Sequence, residues 1–293
     1  MDISALLSGL VSWPYLLIVL GVLTLALLYG LGARRLQGYD RLQRLHAWNY
    51  VAFATGLLVV LVVLHPALYG QAHRSFWAHM VENEALAVPA AILLMLGMPF
   101  WALWHLLPQQ ARGAYLRWAL RQGWPRQLWH RVNQWLLGPW VILAIYLISF
   151  SVWHVPPIYD AALQSRPLYA LELIMFLSTG LLLWGQMIPQ RPGSRARLSP
   201  VQSLVCISLV GMYSSFLGSL YMFATAPYYP YYIATHSSAS SALVDQHLAG
   251  AAMDAPGTIL FAIALFVFLW LWLSEDERAG QSAATPASPA AKP

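Results

Sequence analysis

Residues 75–99 read SFWAHMVENEALAVPAAILLMLGMP, a polar start carrying His79, Met80, Glu82 and Glu84 followed by a long apolar run. A carboxylate on such a segment is expensive to place in hydrocarbon. Glu82 and Glu84 must therefore face a bundle interior, a water-filled cavity or the membrane interface. The stretch predicts a spanning helix and polar chemistry at one of its ends.

The composition agrees with a membrane setting. Of 293 residues, 59% are hydrophobic and 9% charged, and the mean hydropathy is +0.57, whereas soluble domains carry about 25% charged residues. The single cysteine, Cys206, excludes a disulfide framework, a CxxC metal clip and a thiol pair. Any metal site must then be built from His, Met and carboxylates. The net charge of +5 does not point to nucleic acid, because in a membrane protein the placement of basic residues matters more than their sum.

Apolar runs predict spans at about 13–33, 48–66, 79–107, 134–153, 168–188, 201–224 and 247–273. Arg34, Arg35, Arg41 and Arg44 follow the first, Arg112, Arg117, Arg121, Arg126 and Arg131 the third, and Arg191, Arg195 and Arg197 the fifth, with Arg278 and Lys292 after the last. Only Arg74 and Arg166 fall on the opposite side. The expected fold is thus an all-α integral membrane protein, a seven-transmembrane-helix bundle over 1–274. The positive-inside rule puts its N-terminus outside and its C-terminus in the cytoplasm. Residues 275–293, rich in Ser, Ala and Pro, read as a disordered cytoplasmic tail.

Of the eleven acidic residues, Asp40, Glu275, Asp276 and Glu277 read as cytoplasmic, while Asp2, Glu82, Glu84, Asp160, Glu172, Asp245 and Asp254 fall on the outer side or in outer halves of spans. Histidines lean the same way, with His65, His73, His79, His154, His236 and His247 outside and His46, His105 and His130 inside. Histidine is the commonest protein metal ligand, and neighbouring carboxylates or thioethers widen the choice of ion. Residues three or four apart share a helix face, so His79 and Glu82 address one point and Met80 and Glu84 a neighbouring one. His247, Gly250 and Asp254 form a stripe on the last span. The expectation is one outward-facing polar pocket built by the third, fourth, fifth and seventh spans. His65, His73, His236 and His130 read as interfacial, and the YYPYY run at 228–232 as an aromatic belt.

The string AHMVENEALAVPAAILLMLGMP resembles the third-span signature of the CtaG-type cytochrome c oxidase assembly factors, seven-span bacterial membrane proteins. WHVPPIYDAAL is similar to that family's His-x-Pro-x-x-Tyr-Asp segment, with His154, Pro156, Tyr159 and Asp160 on it. PYYPYYIA resembles its tyrosine-rich loop, and DQHLAGAAMDAPG the opening of its last span. The resemblance covers about 49–273 and implies a non-enzymatic role in the bacterial inner membrane. That role is maturation of a haem-copper oxidase by handling copper at the outer face, with oxidase subunits and membrane lipids as partners. It also shows departures: Glu82 and Asn83 stand where the family has Gln and His, the fifth span keeps only Glu172 of a His-x-x-Glu-His pattern, and Asp254 replaces a Trp. Either the site is rebuilt with harder ligands, suited to Cu(II) or Zn(II), or the metal function is lost and a metal-free scaffold remains. The expected ligands are His79, Met80, His154, Glu172 and His247, with Glu82, Asp245 and Asp254 as ligands or supports.

Two other classes are open to the same residues. A b-type haem electron carrier needs facing histidines at similar depth, and mid-span histidines are absent. A cation or proton transporter would use Glu82, Glu172 and Asp254, but the inner halves of the spans lack charges. No nucleophile and base pair supports hydrolysis.

Overall fold

The computed structural model describes residues 13–38, 44–120, 126–128, 131 and 137–284. Asp2, Asp40, Arg41, Arg121, His130, Lys292 and the tail from 285 onward lie outside the described residues.

Every element among the described residues is helical. In chain order they are α1 (Trp13–Leu36), α2 (Ala47–Val63), α3 (Pro66–Ala72), α4 (Phe76–Ala85), α5 (Ala91–Leu96) and α6 (Pro99–Trp104). Then follow α7 (Gln109–Leu120), α8 (Pro139–Trp153), α9 (Pro156–Gln164), α10 (Arg166–Met187), α11 (Pro200–Met222), α12 (Pro230–Thr235) and α13 (Ala239–Ala284). Proline sets many of the starts, occupying the first helical position of α3, α6, α8, α9, α11 and α12. There its missing N–H costs nothing and its fixed φ suits the turn.

Four segments are long and apolar enough to cross a membrane: Pro14–Leu36, Phe76–Leu96, Arg166–Met187 and Pro200–Met222. Two bent pairs raise the number to six if each counts as one span: Ala47–Val63 with Pro66–Ala72, bent by 56°, and Pro139–Trp153 with Pro156–Gln164, bent by 74°. The chain is therefore a multi-pass helical membrane protein. The last expected span lies within α13, which continues to Ala284 and so carries residues 275–284 as helix rather than tail. That run, EDERAGQSAA, contains Glu, Arg and Ala, which sit well in a helix.

The expected third span is not one continuous helix. Pro89 lies inside a π-helical turn, Leu86–Ala90, between α4 and α5, as expected where a residue without an N–H interrupts the hydrogen-bond ladder. The chain then turns at Met98, whose φ of 52° is left-handed, because Pro99 disfavours the helical region for the residue before it. Residues 99–104 consequently form a separate helix, α6, which packs on α1.

Small residues allow the closest crossings, as in other membrane bundles. A Cβ at Gly180 of α10 would collide with the Ala87 carbonyl of the π turn. Gly218 of α11 and Gly250 of α13 face each other, and α13 runs against α11 along much of its length. The arginine-bearing end is held by backbone carbonyls: Arg35 donates to His105 O and Leu106 O at 3.3 and 2.7 Å, and Arg197 to Leu137 O at 3.1 Å.

Substituting Gly180 by Leu is expected to lower stability by about 1–3 kcal/mol through overpacking, seen as a reduced thermal midpoint in detergent. Gly21→Ala, where an added Cβ meets nothing within 4 Å, should leave the midpoint unchanged or slightly raised.

Candidate functional site

His79 on α4 and Glu172 on α10 have no exposed surface. Charged or chargeable groups so deep in an apolar bundle must meet partners, and these meet each other: His79 Nε2 lies 3.0 Å from Glu172 Oε1. Asn83, one helical turn beyond His79 on the same face, donates from Nδ2 to the same oxygen at 2.8 Å. On α10, Tyr169 precedes Glu172 by three residues and therefore shares its face. Its hydroxyl donates to Glu82 Oε2 in a short hydrogen bond. Two helices thus exchange two interactions, residues 79 and 83 reaching position 172 and residue 169 reaching position 82.

A tyrosine cluster covers this pair. Tyr232 of α12 donates to Ala72 O at 2.7 Å and lies 3.4 Å from His79 Nδ1, while Tyr159 OH is 3.5 Å from Tyr232 OH. The Tyr232 proton is directed to Ala72 O, which leaves its oxygen facing His79 Nδ1. Tyr221 and Tyr229 join their hydroxyls at 2.6 Å, and Tyr229 donates to His154 O at 2.9 Å. Phe76, Tyr159 and Tyr169 fill the spaces between these rings.

His154 ends α8 with Nδ1 on Phe150 O at 2.6 Å. It lies close enough to Glu172 and His79 to interact with their charges. Several buried polar atoms beside the pair lack a hydrogen-bond partner: His154 Nε2, Glu172 Oε2, Glu82 Oε1 and Asn83 Oδ1. Nearer the surface, His73 packs on Tyr69 and Tyr169 with Nδ1 on Tyr69 O at 2.8 Å. Burial lowers its pKa below the ordinary imidazole value, with opposing contributions from the Tyr69 carbonyl and Glu172 and a further lowering from His79.

The remaining expected ligands are placed elsewhere. Asp245 of α13 accepts from Ser75 Oγ at 2.7 Å, Phe76 N at 2.5 Å and Trp77 N at 3.3 Å, so it caps the N-terminus of α4. A carboxylate suits the positive end of a helix, and His236 lies 3.5 Å from its other side. His247 Nε2 reaches Ala224 O at 2.9 Å. Asp254 accepts from Ser215 Oγ at 2.5 Å and Thr258 Oγ1 at 3.3 Å. The stripe His247, Gly250, Asp254 thereby ties α13 to α11 instead of lining the pocket. Met80 is buried in the hydrophobic core, and Glu84 is buried beside Ser214 and Tyr146. Among the described residues, no three His, Cys, Asp or Glu side chains form a group able to hold a metal ion.

Sequence reasoning passed over Asn83 as a site residue, although its spacing of four from His79 was a usable signal. It also placed the YYPYY run in an aromatic belt, whereas Tyr229 and Tyr232 are each 2% exposed and roof the site. The prolines around them were the available hint.

This architecture defines a class: all-helical multi-pass membrane proteins with a buried polar network at one end of the bundle. A family model, cytochrome c oxidase caa3 assembly factor (Caa3_CtaG), matches residues 27–275, most of the chain. The protein belongs to this family of oxidase assembly factors. No curated relative and no solved structure matches the chain.

Removing the cap tests how α13 holds the site. Asp245→Ala should cost about 1–2 kcal/mol, the range for a lost N-cap, with Asp245→Asn intermediate because it retains one acceptor oxygen. Thermal unfolding in detergent measures both, and equal midpoints for all three proteins would contradict the assignment.

Proposed function

We propose that this chain is a seven-span protein of the bacterial inner membrane, with its N-terminus outside and its C-terminus in the cytoplasm. In this reading it assists assembly of a haem-copper cytochrome c oxidase by contacting oxidase subunits and handling copper at the outer face. The topology follows from the distribution of Lys and Arg, 14 of the 16 lying on one side of the seven spans. What supports a copper role is the set of unpartnered buried atoms, His154 Nε2, Glu172 Oε2 and Glu82 Oε1, beside the His79–Glu172 pair. These are donors that suit a borderline divalent ion. Copper, as cargo, would take the place of the His79–Glu172 hydrogen bond. His79, His154 and Glu172 would receive it, with Glu82 held ready by Tyr169. His247, Asp245 and Asp254 would serve the helix contacts around that set.

A metal-free scaffold is the second reading, favoured by the lack of any three-donor group among the described residues. Copper binding by three of these residues requires side chains to shift from the arrangement described. In the scaffold reading the polar network fixes the shape of a surface that holds oxidase subunits, and no metal passes through it.

Deleting the gene and measuring oxidase activity and oxidase copper content, with and without added copper, separates the two. The copper reading expects oxidase activity to fall and to recover on copper supplementation. The scaffold reading expects the same fall without recovery. Unchanged oxidase activity after deletion would remove the protein from oxidase assembly. In the purified protein, equal copper content in the wild type and in a His79→Ala, His154→Ala variant would overturn the ligand assignment.

A further inference from the structure

Glu84 takes no part in the network described above. It lies five residues inward from His79 on α4 and is buried beside Ser214 of α11 and Tyr146 of α8. Glu82, Glu172, Asp245 and Asp254 each accept a hydrogen bond. Among the described residues Glu84 completes none, and no cationic side chain comes within ion-pair distance of it. A carboxylate so placed in an apolar bundle needs its charge cancelled by something bound to it.

The groups around Glu84 are hydroxyls. Ser149 lies one turn from Tyr146 and shares its face of α8; it is 4% exposed, and Ser214 is 5% exposed. His79 and His154 both act on the Glu172 charge and so stand at one level of the bundle. Glu84 is five residues inward from the first and Ser149 five residues inward from the second, which puts both about 7.5 Å deeper at 1.5 Å per residue. A serine or threonine within a helix commonly returns its hydroxyl to the carbonyl four residues back. Ser151 does so to Leu147 O and Thr179 to Met175 O, each at 2.6 Å. Ser149 and Ser214 do not, and their buried Oγ atoms have no partner. Both hydroxyls are thus turned away from their own backbones, at the depth where Glu84 is buried.

We propose that Glu84, Ser149, Ser214 and Tyr146 form a binding site for one small monovalent cation. All of its donors are oxygens, which suit a hard ion and not copper. One carboxylate cancels one positive charge, whereas a divalent ion would leave a net charge buried in the bundle. A proton on Glu84 would bond to a single acceptor and leave the other serine oxygen unpartnered; a cation takes lone pairs from all four groups together. The π-helical turn Leu86–Ala90 begins two residues beyond Glu84, and turns of this kind recur at functional sites. The bound ion joins α4, α8 and α11 inward of the His79–Glu172 pair, and it does not depend on the copper reading.

Sodium is the probe. The full chain is purified in detergent at a fixed alkaline pH, and choline chloride is replaced stepwise by sodium chloride at constant ionic strength. Bound radioactive sodium and the thermal midpoint are measured on the same samples. The wild type is expected to bind one sodium per chain, with a midpoint that rises and saturates. Glu84→Gln keeps the shape of the side chain without its charge, so it folds, binds no sodium and shows no response of the midpoint. Ser149→Ala and Ser214→Ala should each need about tenfold more sodium for half-saturation, as for loss of a supporting ligand. Ser151→Ala, whose hydroxyl is engaged elsewhere, should bind as the wild type does. Absence of saturable sodium binding by the wild type, or equal binding by Glu84→Gln, would overturn the proposal. Displacement of the sodium by calcium at equal concentration would overturn its assignment to a monovalent ion.

Discussion

A carboxyl group at position 172 with no exposed surface is tolerable in an apolar bundle only because His79 and Asn83 converge on one of its oxygens. An isolated buried carboxylate would cost many kcal/mol, so this contact dictates how α4 and α10 meet. The register of the two helices follows from it. With positions 79 and 83 on Glu172, Tyr169 lies opposite Glu82, and Gly180 falls against the π turn that follows α4. The arrangement is consistent along three turns of helix, and a slip by one residue in either helix would separate all of these partners.

The other elements at this end secure that contact. Asp245 of α13 caps α4 at its start, Tyr232 of α12 closes over His79, and Tyr229 links α12 to the end of α8 through the His154 carbonyl. Residues 82, 83, 154 and 172 each also leave a buried polar atom without a partner, as with His154 Nε2 and Glu172 Oε2. Unsatisfied groups of this kind are costly, and here four of them accompany a fully buried His79–Glu172 pair. At the opposite end of the bundle, Trp184, Gln186, Gln190 and Ser203 also carry unpartnered buried atoms, but no histidine and carboxylate pair lies among them. There, Arg35 and Arg197 meet backbone carbonyls.

Much of this was legible in the residues. The cost of Glu82 and Glu172 in hydrocarbon pointed to buried polar contacts, and the order of four motifs pointed to the family. Helix continuity was less legible: Pro89 puts a π-helical turn inside the third expected span and Met98 ends its helix, while the bends before Pro66 and Pro156 fall at the ends of the second and fourth. Hydropathy averages over such breaks. Which face each polar residue presents was also beyond the sequence. Helical spacing put His79 with Glu82 and His247 with Asp254, but tertiary contacts paired His79 with Glu172 and gave Asp254 to Ser215. Spacing within a helix says which residues share a face and is silent about the helix opposite.

The central claim is that His79 and Glu172 act as one unit in oxidase assembly. A double-mutant cycle measures it directly, with assembled oxidase quantified in cells carrying His79→Ala, Glu172→Ala or both. If the pair is one unit, either single substitution loses nearly all of the effect and the double variant is no worse than the singles, a strongly non-additive result. Losses that multiply as for independent sites, or normal oxidase in either single variant, would contradict the account.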